Sequence, residues 1–158
     1  MTTTASNVGA AAISIPARAR RTATCASLAG LADQVEARAP LRVAEARSRL
    51  AARLAEMLGD VRFDAGRLEQ EIALLADRLD VSEEVVRLRS HLAQATAALD
   101  AARDAGTPAG RRLGFLVQEL LREVNTTGSK ANDAEVAHLA VAMKETVEQI
   151  REQAANVV

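Results

Sequence analysis

Apolar residues recur every three or four positions along most of this chain, which is the pattern of amphipathic helices. In one segment they form a seam with alternating three- and four-residue spacing, made of Val85, Leu88, Leu92, Ala95 and Leu99. A later segment carries a second seam of the same kind, made of Val136, Ala140, Met143, Val147 and Ile150. No segment has the strict alternation of a strand. The pattern predicts an all-α fold, an elongated antiparallel helical bundle with coiled-coil-like seams.

Capping residues and prolines divide the chain into a leader and six predicted helices. Residues 1–25 contain no acidic residue and no sustained helical period, so they are predicted to be a disordered leader, and residues 26–158 a helical domain. The first helix is predicted to stop before Pro40, because proline disrupts a helix interior. The third and fourth begin at the caps Asp64 and Asp80. The predicted helices cover residues 27–38, 41–58, 64–79 and 80–106, a fifth from Pro108 and a sixth after Asp133.

Composition limits the classes of function. The net charge is −1, so any binding of an anionic partner must be local rather than spread over the whole surface. The single Cys25 excludes an intramolecular disulfide and has no pairing motif around it. No run of eighteen apolar residues occurs, so no membrane span is predicted and a cytoplasmic location is expected.

Residues 110–130 combine an apolar face with a densely polar one. Wound as a helix, they gather Leu113, Leu116, Val117, Leu120 and Val124 on one side. Arg111, Gln118 and Arg122 form a column on the opposite side, and Glu119 and Glu123 form the next column. Residues 125–130 are predicted to be a polar loop, in which freed backbone amides with Ser129 and Lys130 bind phosphate. The alternative is a solvated helix face with ordinary ion pairs, and a helix end at Gly128.

His91 is the second candidate for chemistry. It flanks the first seam, with Arg87 one turn before it and Glu84 two turns before it. Histidine is suited to proton transfer near neutral pH, although a histidine beside an apolar seam is more often a packed, hydrogen-bonded residue. The carboxylates of Glu84, Glu119 and Glu123 could hold Mg²⁺ or Mn²⁺, and the sequence leaves open whether they meet.

The candidate residues named above belong to several short sequence motifs. In their order along the chain, these motifs resemble those of the C-terminal region of the YicC/YloC family of bacterial endoribonucleases. The resemblance runs from about Ser27 to the C-terminus. The matching positions are 76–78, 80, 83–84, 87–92, 110–113, 115, 118–119, 122–123, 125–126, 128–130, 144, 148, 151–153 and 156.

The resemblance implies an endoribonuclease that depends on a divalent metal, Mg²⁺ or Mn²⁺, assembles as a homo-oligomer and cleaves single-stranded or hairpin RNA. On this reading the catalytic residues are His91, Glu119 and Glu123. The metal ligands are Glu84, Glu119 and Glu123. The residues expected to bind RNA are Arg87, Arg111, Gln118, Arg122, Asn125, Ser129 and Lys130.

The sequence departs from the family pattern in several places. The family's N-terminal domain is missing from it. Gly114 stands where the family usually has Asp, Leu121 where it has Asn, and Val158 where it has an acidic residue. These departures favour, as an alternative, a catalytically impaired helical module that binds RNA or self-assembles. The two coiled-coil-like seams favour a further alternative, a purely structural coiled-coil partner. Because aromatic residues are so few, contact with RNA is expected to be electrostatic and salt-sensitive rather than by base stacking.

Overall fold

The computed structural model describes residues 15–58, 64–101 and 109–156, and it is built from α-helices. The helices are α1 (Ile15–Leu58), α2 (Ala65–Leu79), α3 (Ser82–Ala101), α4 (Ala109–Ser129) and α5 (Ala134–Ala155). No strand occurs among the described residues. The all-α helical bundle predicted from the apolar periodicity is therefore confirmed.

The core lies where the first half of α1 packs with α3, α4 and α5. Every position of the two predicted seams is buried in it, and so is the whole apolar stripe of α4. Full burial of a Leu or Val side chain stabilises the fold by about 1.5–3 kcal/mol. These stripes therefore fix which face of each helix turns inward, and with it which polar residues remain at the surface.

Helix α1 runs through Pro40 without a break, so the predicted separation into two helices is wrong. Proline removes one backbone hydrogen bond from the helix. Side chains on both sides of it compensate, since Val35 and Arg42 are both buried in the packed face of α1. Arg38 also spans the proline, with two hydrogen bonds of 2.7 and 2.8 Å to the carboxylate of Glu45. Packing and side-chain contacts therefore keep the helix continuous across a residue that would interrupt it in isolation.

Helix α1 also begins earlier than predicted. Residues 15–25, assigned to the leader, are helical, and residues 1–14 lie outside the described part of the chain. The packing of this segment explains the difference, because Arg21 and Cys25 are buried. Gln153 of α5 donates a hydrogen bond of 2.9 Å to the hydroxyl of Thr24. The segment is therefore part of the bundle.

Residues 125–129 belong to α4, so the predicted polar loop is wrong. The hydroxyls of Thr126 and Thr127 donate to the backbone carbonyls four positions earlier, at 3.1 and 2.9 Å, and so remain within the helix. Gly128 packs closely on α5, since a Cβ added there would lie 3.3 Å from the Cβ of Ala140. Gly128 therefore serves close packing of α4 on α5, rather than a phosphate-binding loop or a helix end.

Two of the three predicted helix caps are confirmed, and the third helix start is shifted. Asp64 caps α2 as predicted, accepting the backbone N–H of Gly66 at 2.8 Å. Asp80 accepts the backbone N–H of Ser82 at 2.9 Å, so α3 begins at Ser82 rather than at the aspartate. Asp133 caps α5 as predicted, at the end of a turn in which Asn132 has a positive φ of 40°. The predicted end of the fourth helix near residue 106 and the predicted start at Pro108 lie outside the described residues.

The second half of α1, residues 43–58, packs with α2, and these two helical segments are called the arm below. Helix α2 packs mainly on α1, and the salt bridge between Arg47 and Glu69 joins the two. Among the described residues of the arm, the buried apolar ones are few, namely Ala46, Ile72 and Leu79. The arm is therefore much less densely packed than the four-helix core.

Candidate metal and RNA site

Three predicted site residues meet where α3 packs against α4. His91 comes from α3, while Glu119 and Glu123 lie four residues apart on α4 and so share one face of that helix. One ligand atom from each, a ring nitrogen or a carboxylate oxygen, lies within 4.8 Å of the others. His91 and Glu119 are half-buried and Glu123 is buried. We call these three residues the acid–histidine cluster.

The acid–histidine cluster has the chemistry of a divalent cation site. Nδ1 of His91 is inaccessible to solvent and has no hydrogen-bond partner among the described residues. Buried polar atoms without a partner are uncommon in native proteins. Carboxylates suit Mg²⁺ and Mn²⁺, and an imidazole favours first-row transition metals such as Mn²⁺ over Mg²⁺. The residues present therefore fit the metal that the sequence resemblance implies.

Arg87 lies one turn before His91 and binds the cluster from the side. Its Nε donates to Oε2 of Glu123 at 3.1 Å, while its two terminal nitrogens contact Glu83 at 3.1 Å and Glu84 at 3.4 Å. The hydrogen bond to Glu123 is the main reason why the pKa of Arg87 lies above its ordinary value. Arg87, predicted to bind RNA, is therefore occupied by carboxylates and holds Glu123 in place.

Glu84 lies outside the acid–histidine cluster, although it was predicted to share a metal with Glu119 and Glu123. It is seven residues before His91, which is about 10 Å along a helix. Its Oε1 accepts a hydrogen bond of 3.0 Å from Nζ of Lys130, and its Oε2 is buried without a partner among the described residues. The ligand set that the structure brings together therefore contains His91 in place of Glu84.

Comparison with known proteins gives a family for this arrangement. Residues 35–158 match the family model described as "Endoribonuclease YicC-like, C-terminal". The chain belongs to this family. The resemblance inferred from the ordered motifs is thereby confirmed.

Two curated relatives have the same family name. The chain is 37% identical over 134 residues to a probable endoribonuclease YicC of Clostridioides difficile (strain 630), a match that covers 84% of this chain and 44% of that protein. It is 39% identical over 130 residues to a probable endoribonuclease YicC of Haemophilus influenzae (strain ATCC 51907 / DSM 11121 / KW20 / Rd), covering 82% and 43%. The chain therefore spans less than half the length of the curated relatives it matches.

The two internal departures from the YicC-like pattern lie away from the acid–histidine cluster. Gly114 and Glu119 are five residues apart, so they point about 140° apart around α4. Gly114 is exposed, with no atom within 4 Å of the Cβ position, and Leu121 is half-buried against the core. The three cluster residues meet although this chain lacks the family's Asp and Asn at those positions.

The remaining residues predicted to bind RNA lie on the solvent side of α4, apart from Lys130. The exposed ones are Arg111, Gln118, Arg122, Asn125 and Ser129. The side chain of Arg122 is 74% exposed, with Nη1 4.0 Å from Glu119. Lys130 instead donates to Glu84 and to the backbone carbonyl of Asp80, at 3.0 and 2.9 Å. The predicted phosphate-binding loop does not form, because its backbone amides belong to a helix.

Two further residues with unusual surroundings, one buried and one exposed, were not identified as such from the sequence. Arg42 is buried, and its guanidinium donates to the carbonyl oxygens of Leu79 at 2.7 Å and Ala131 at 2.8 Å. Phe115 is exposed on the polar face of α4. None of the described helices is both long enough and apolar enough to cross a membrane.

Proposed function

We propose that this chain is a metal-dependent endoribonuclease of the YicC/YloC type, with the acid–histidine cluster as its reactive centre. The observation that carries the proposal is the meeting of His91, Glu119 and Glu123 from two separate helices. The names of its relatives, which are probable endoribonucleases, support the reaction class. The proposed substrate is single-stranded or hairpin RNA, cleaved at a phosphodiester bond.

Each residue has a role that follows from its surroundings. His91, Glu119 and Glu123 would hold Mg²⁺ or Mn²⁺, and a bound cation of this kind polarises a phosphoryl oxygen and lowers the pKa of a bound water. Arg87 holds the carboxylate of Glu123 in place through its 3.1 Å hydrogen bond. Arg122, exposed beside Glu119, presents a guanidinium whose planar donors match the oxygens of a phosphate group.

Binding of the RNA backbone is proposed along the solvent side of α4. Arg111, Gln118, Arg122, Asn125 and Ser129 offer cationic and hydrogen-bonding groups there. The chain as a whole has a net charge of −1, so the attraction for RNA would be confined to this surface. Binding should therefore weaken steeply as the salt concentration rises.

The proposal is tested by cleavage of an end-labelled hairpin RNA with Mn²⁺, Mg²⁺ or EDTA. We expect cleavage to require the cation and to fall at least about 100-fold in Glu119→Gln, Glu123→Gln and His91→Ala, because each removes a group from the reactive centre. Glu148→Gln is the matched control, since Glu148 is a partly exposed acid that pairs with Arg151 on α5. Unchanged cleavage in all three cluster variants would contradict the proposed centre, provided that circular dichroism shows them folded.

The alternative function is a catalytically impaired module that binds RNA or self-assembles. Gly114 and Leu121 favour it, because the family usually has polar residues at both positions. RNA binding without cleavage, followed by cleavage in the double variant Gly114→Asp with Leu121→Asn, would support this alternative. The open space around Gly114 admits the aspartate without a steric clash.

We also propose that the chain forms a homo-oligomer, as the family resemblance implies. Large apolar side chains exposed around the arm support this, namely Leu41, Met57 and Leu74. Sedimentation equilibrium of the purified chain tests it, and a monomer at all concentrations up to the solubility limit would contradict it.

A further inference from the structure

Phe115 presents an aromatic ring to solvent on the polar side of α4. The residue is 60% exposed. The chain has no Trp or Tyr and one other Phe, Phe63, which lies outside the described residues. Phenylalanine is one of the residues most often found inside proteins, so an exposed ring among charged residues suggests a contact with a partner.

The neighbours of Phe115 indicate what that partner is. Glu119, a member of the acid–histidine cluster, is one turn after it, and Arg111 is one turn before it. Arg122 points within about 20° of the same direction around the helix. Gly114, the residue before Phe115, has no side chain and has open space at its Cβ position. Along α4, Phe115 therefore lies between Arg111 and Glu119, a member of the proposed reactive centre.

We infer that Phe115 is the stacking platform for an unpaired base of the RNA, next to the phosphate that lies at the acid–histidine cluster. The inference rests on the proposed function, and it departs from the expectation of purely electrostatic contact by adding one stacked base. Phe115 and Glu119 are four residues apart, which is about 6 Å along the helix axis and comparable to the span of one nucleotide. Every base has a π-face, so the site takes any unpaired base, whereas a base within a duplex is already stacked on its neighbours. Phe115 thereby selects RNA that is unpaired beside the cleaved bond.

An RNA base fits this surface better than an apolar surface of another protein. The centres of protein interfaces are depleted of charged residues. Phe115 is surrounded instead by the exposed Arg111, Arg112, Gln118 and Arg122 of its own helix. Cationic groups around an aromatic ring are the combination with which proteins bind single-stranded nucleic acids.

The test is equilibrium binding of a fluorescent hairpin RNA to the whole chain in EDTA, where no cleavage occurs. We expect Phe115→Ala to weaken binding about 5- to 100-fold, as the loss of one stacked base does. Phe115→Trp should keep the affinity, and its fluorescence should change when RNA binds. The control is Val141→Ala, which shortens an equally exposed apolar side chain on α5 and should leave the affinity unchanged.

A series of RNAs with one abasic nucleotide, moved along the loop, identifies the stacked base. The wild-type chain should lose affinity for the RNA with the abasic nucleotide at one position, and Phe115→Ala should not discriminate against that RNA.

Equal RNA affinity of Phe115→Ala and wild type overturns the inference, as does an effect of Phe115→Ala on sedimentation alone. If hairpin RNA is bound and cleaved but Phe115 has no influence, only this inference fails. If RNA is not bound at all at low salt, the inference and the proposed function fail together.

Discussion

Arg87 and Arg89 form a natural comparison at the scale of single residues. Both lie on α3, are half-exposed and bind acidic side chains, but Arg87 contacts Glu123 whereas Arg89 contacts Asp33 and Glu36 on α1. Groups that hold metal ligands in place typically contribute 10- to 100-fold to metal affinity. We predict that Arg87→Ala weakens Mn²⁺ binding at least about 10-fold, measured by titration calorimetry.

Arg89→Ala is the matched control and should leave Mn²⁺ affinity unchanged, since Arg89 contacts no residue of the cluster. Equal losses of affinity in the two variants would show that Arg87 acts through general stability or net charge instead of through Glu123. Tighter binding in Arg87→Ala would show that the guanidinium competes with the cation.

Asp133 makes the stability of the protein depend on pH. It accepts a hydrogen bond of 2.7 Å from Arg38, and this bond lowers the pKa of Asp133 below its ordinary value. A depressed carboxyl pKa stabilises the fold above the unfolded-state pKa of about 3.9, and the gain is lost as the pH falls through the folded-state pKa. We predict that Asp133→Asn lowers the free energy of unfolding at pH 7 and that the difference from wild type shrinks below about pH 4.

Urea unfolding at a series of pH values measures this difference. Asparagine is also a good N-cap, so the variant removes the charge and preserves the cap of α5. Glu135→Gln is the control, because Glu135 contacts the same arginine at 3.1 Å from an exposed position. A stability difference that persists unchanged at pH 3 would assign the effect to the cap rather than to the ion pair.

At the scale of helices, two of the three glycines of α4 lie in opposite surroundings. Gly114 is exposed with open space at its Cβ position, while Gly128 lies against Ala140 of α5. Replacing an exposed helical glycine by alanine gains roughly 0.5–1 kcal/mol. We predict that gain for Gly114→Ala, and a loss of about 1–3 kcal/mol for Gly128→Leu, whose side chain must force the two helices apart. Thermal unfolding of both variants measures this, and a stabilised Gly128→Leu would contradict the close packing of α4 on α5.

The helices also show how far the sequence predicts this fold. The periodicity in α3, α4 and α5 identified their buried faces because one stripe of each meets the core. The same apolar periodicity is present in α1, where the preference of Pro40 predicted a break. A seam of four- and three-residue steps continues across Pro40, through Leu28, Ala32, Val35, Ala39, Arg42 and Ala46. This continuous seam indicates one helix, although the local preference of proline favours two. It also places Arg42 on the packed face of that helix.

The candidate site could be predicted only in part, for a physical reason. Residue type singled out His91, Glu119 and Glu123 as candidates for chemistry. Their meeting depends on how α3 packs against α4, which no local pattern determines. Glu84 is a glutamate like Glu119 and Glu123, so its residue type alone does not set it apart. It pairs with Lys130 from the turn after α4, and only the tertiary structure shows that pairing.

At the scale of the whole molecule, Arg42 joins parts of the chain that are far apart in sequence. From α1 it reaches the carbonyl that ends α2, at Leu79, and the carbonyls of Lys130 and Ala131 in the turn between α4 and α5. Burial lowers the pKa of Arg42, chiefly through desolvation, so its charge depends on these carbonyls for compensation.

We predict that Arg42→Met lowers the free energy of unfolding by about 2–4 kcal/mol, because it leaves several buried carbonyls without a donor. Urea denaturation measures the change. Arg53→Met is the control, since Arg53 is exposed on the same helix and should matter by less than about 0.5 kcal/mol. Equal stability of the two variants would mean that water replaces the guanidinium at these carbonyls.

The length of α1 has a consequence for the motions of the molecule. Its 44 residues extend about 66 Å, twice the length of the 22-residue α5 on which its first half packs. Regions with few buried contacts open at a lower free energy than the core does. Amide protons of α2 should therefore exchange with solvent well before those of α3 and α4, through openings that leave the acid–histidine cluster closed. The arm can then bend, or adapt to a neighbouring molecule, while the proposed reactive centre keeps its geometry.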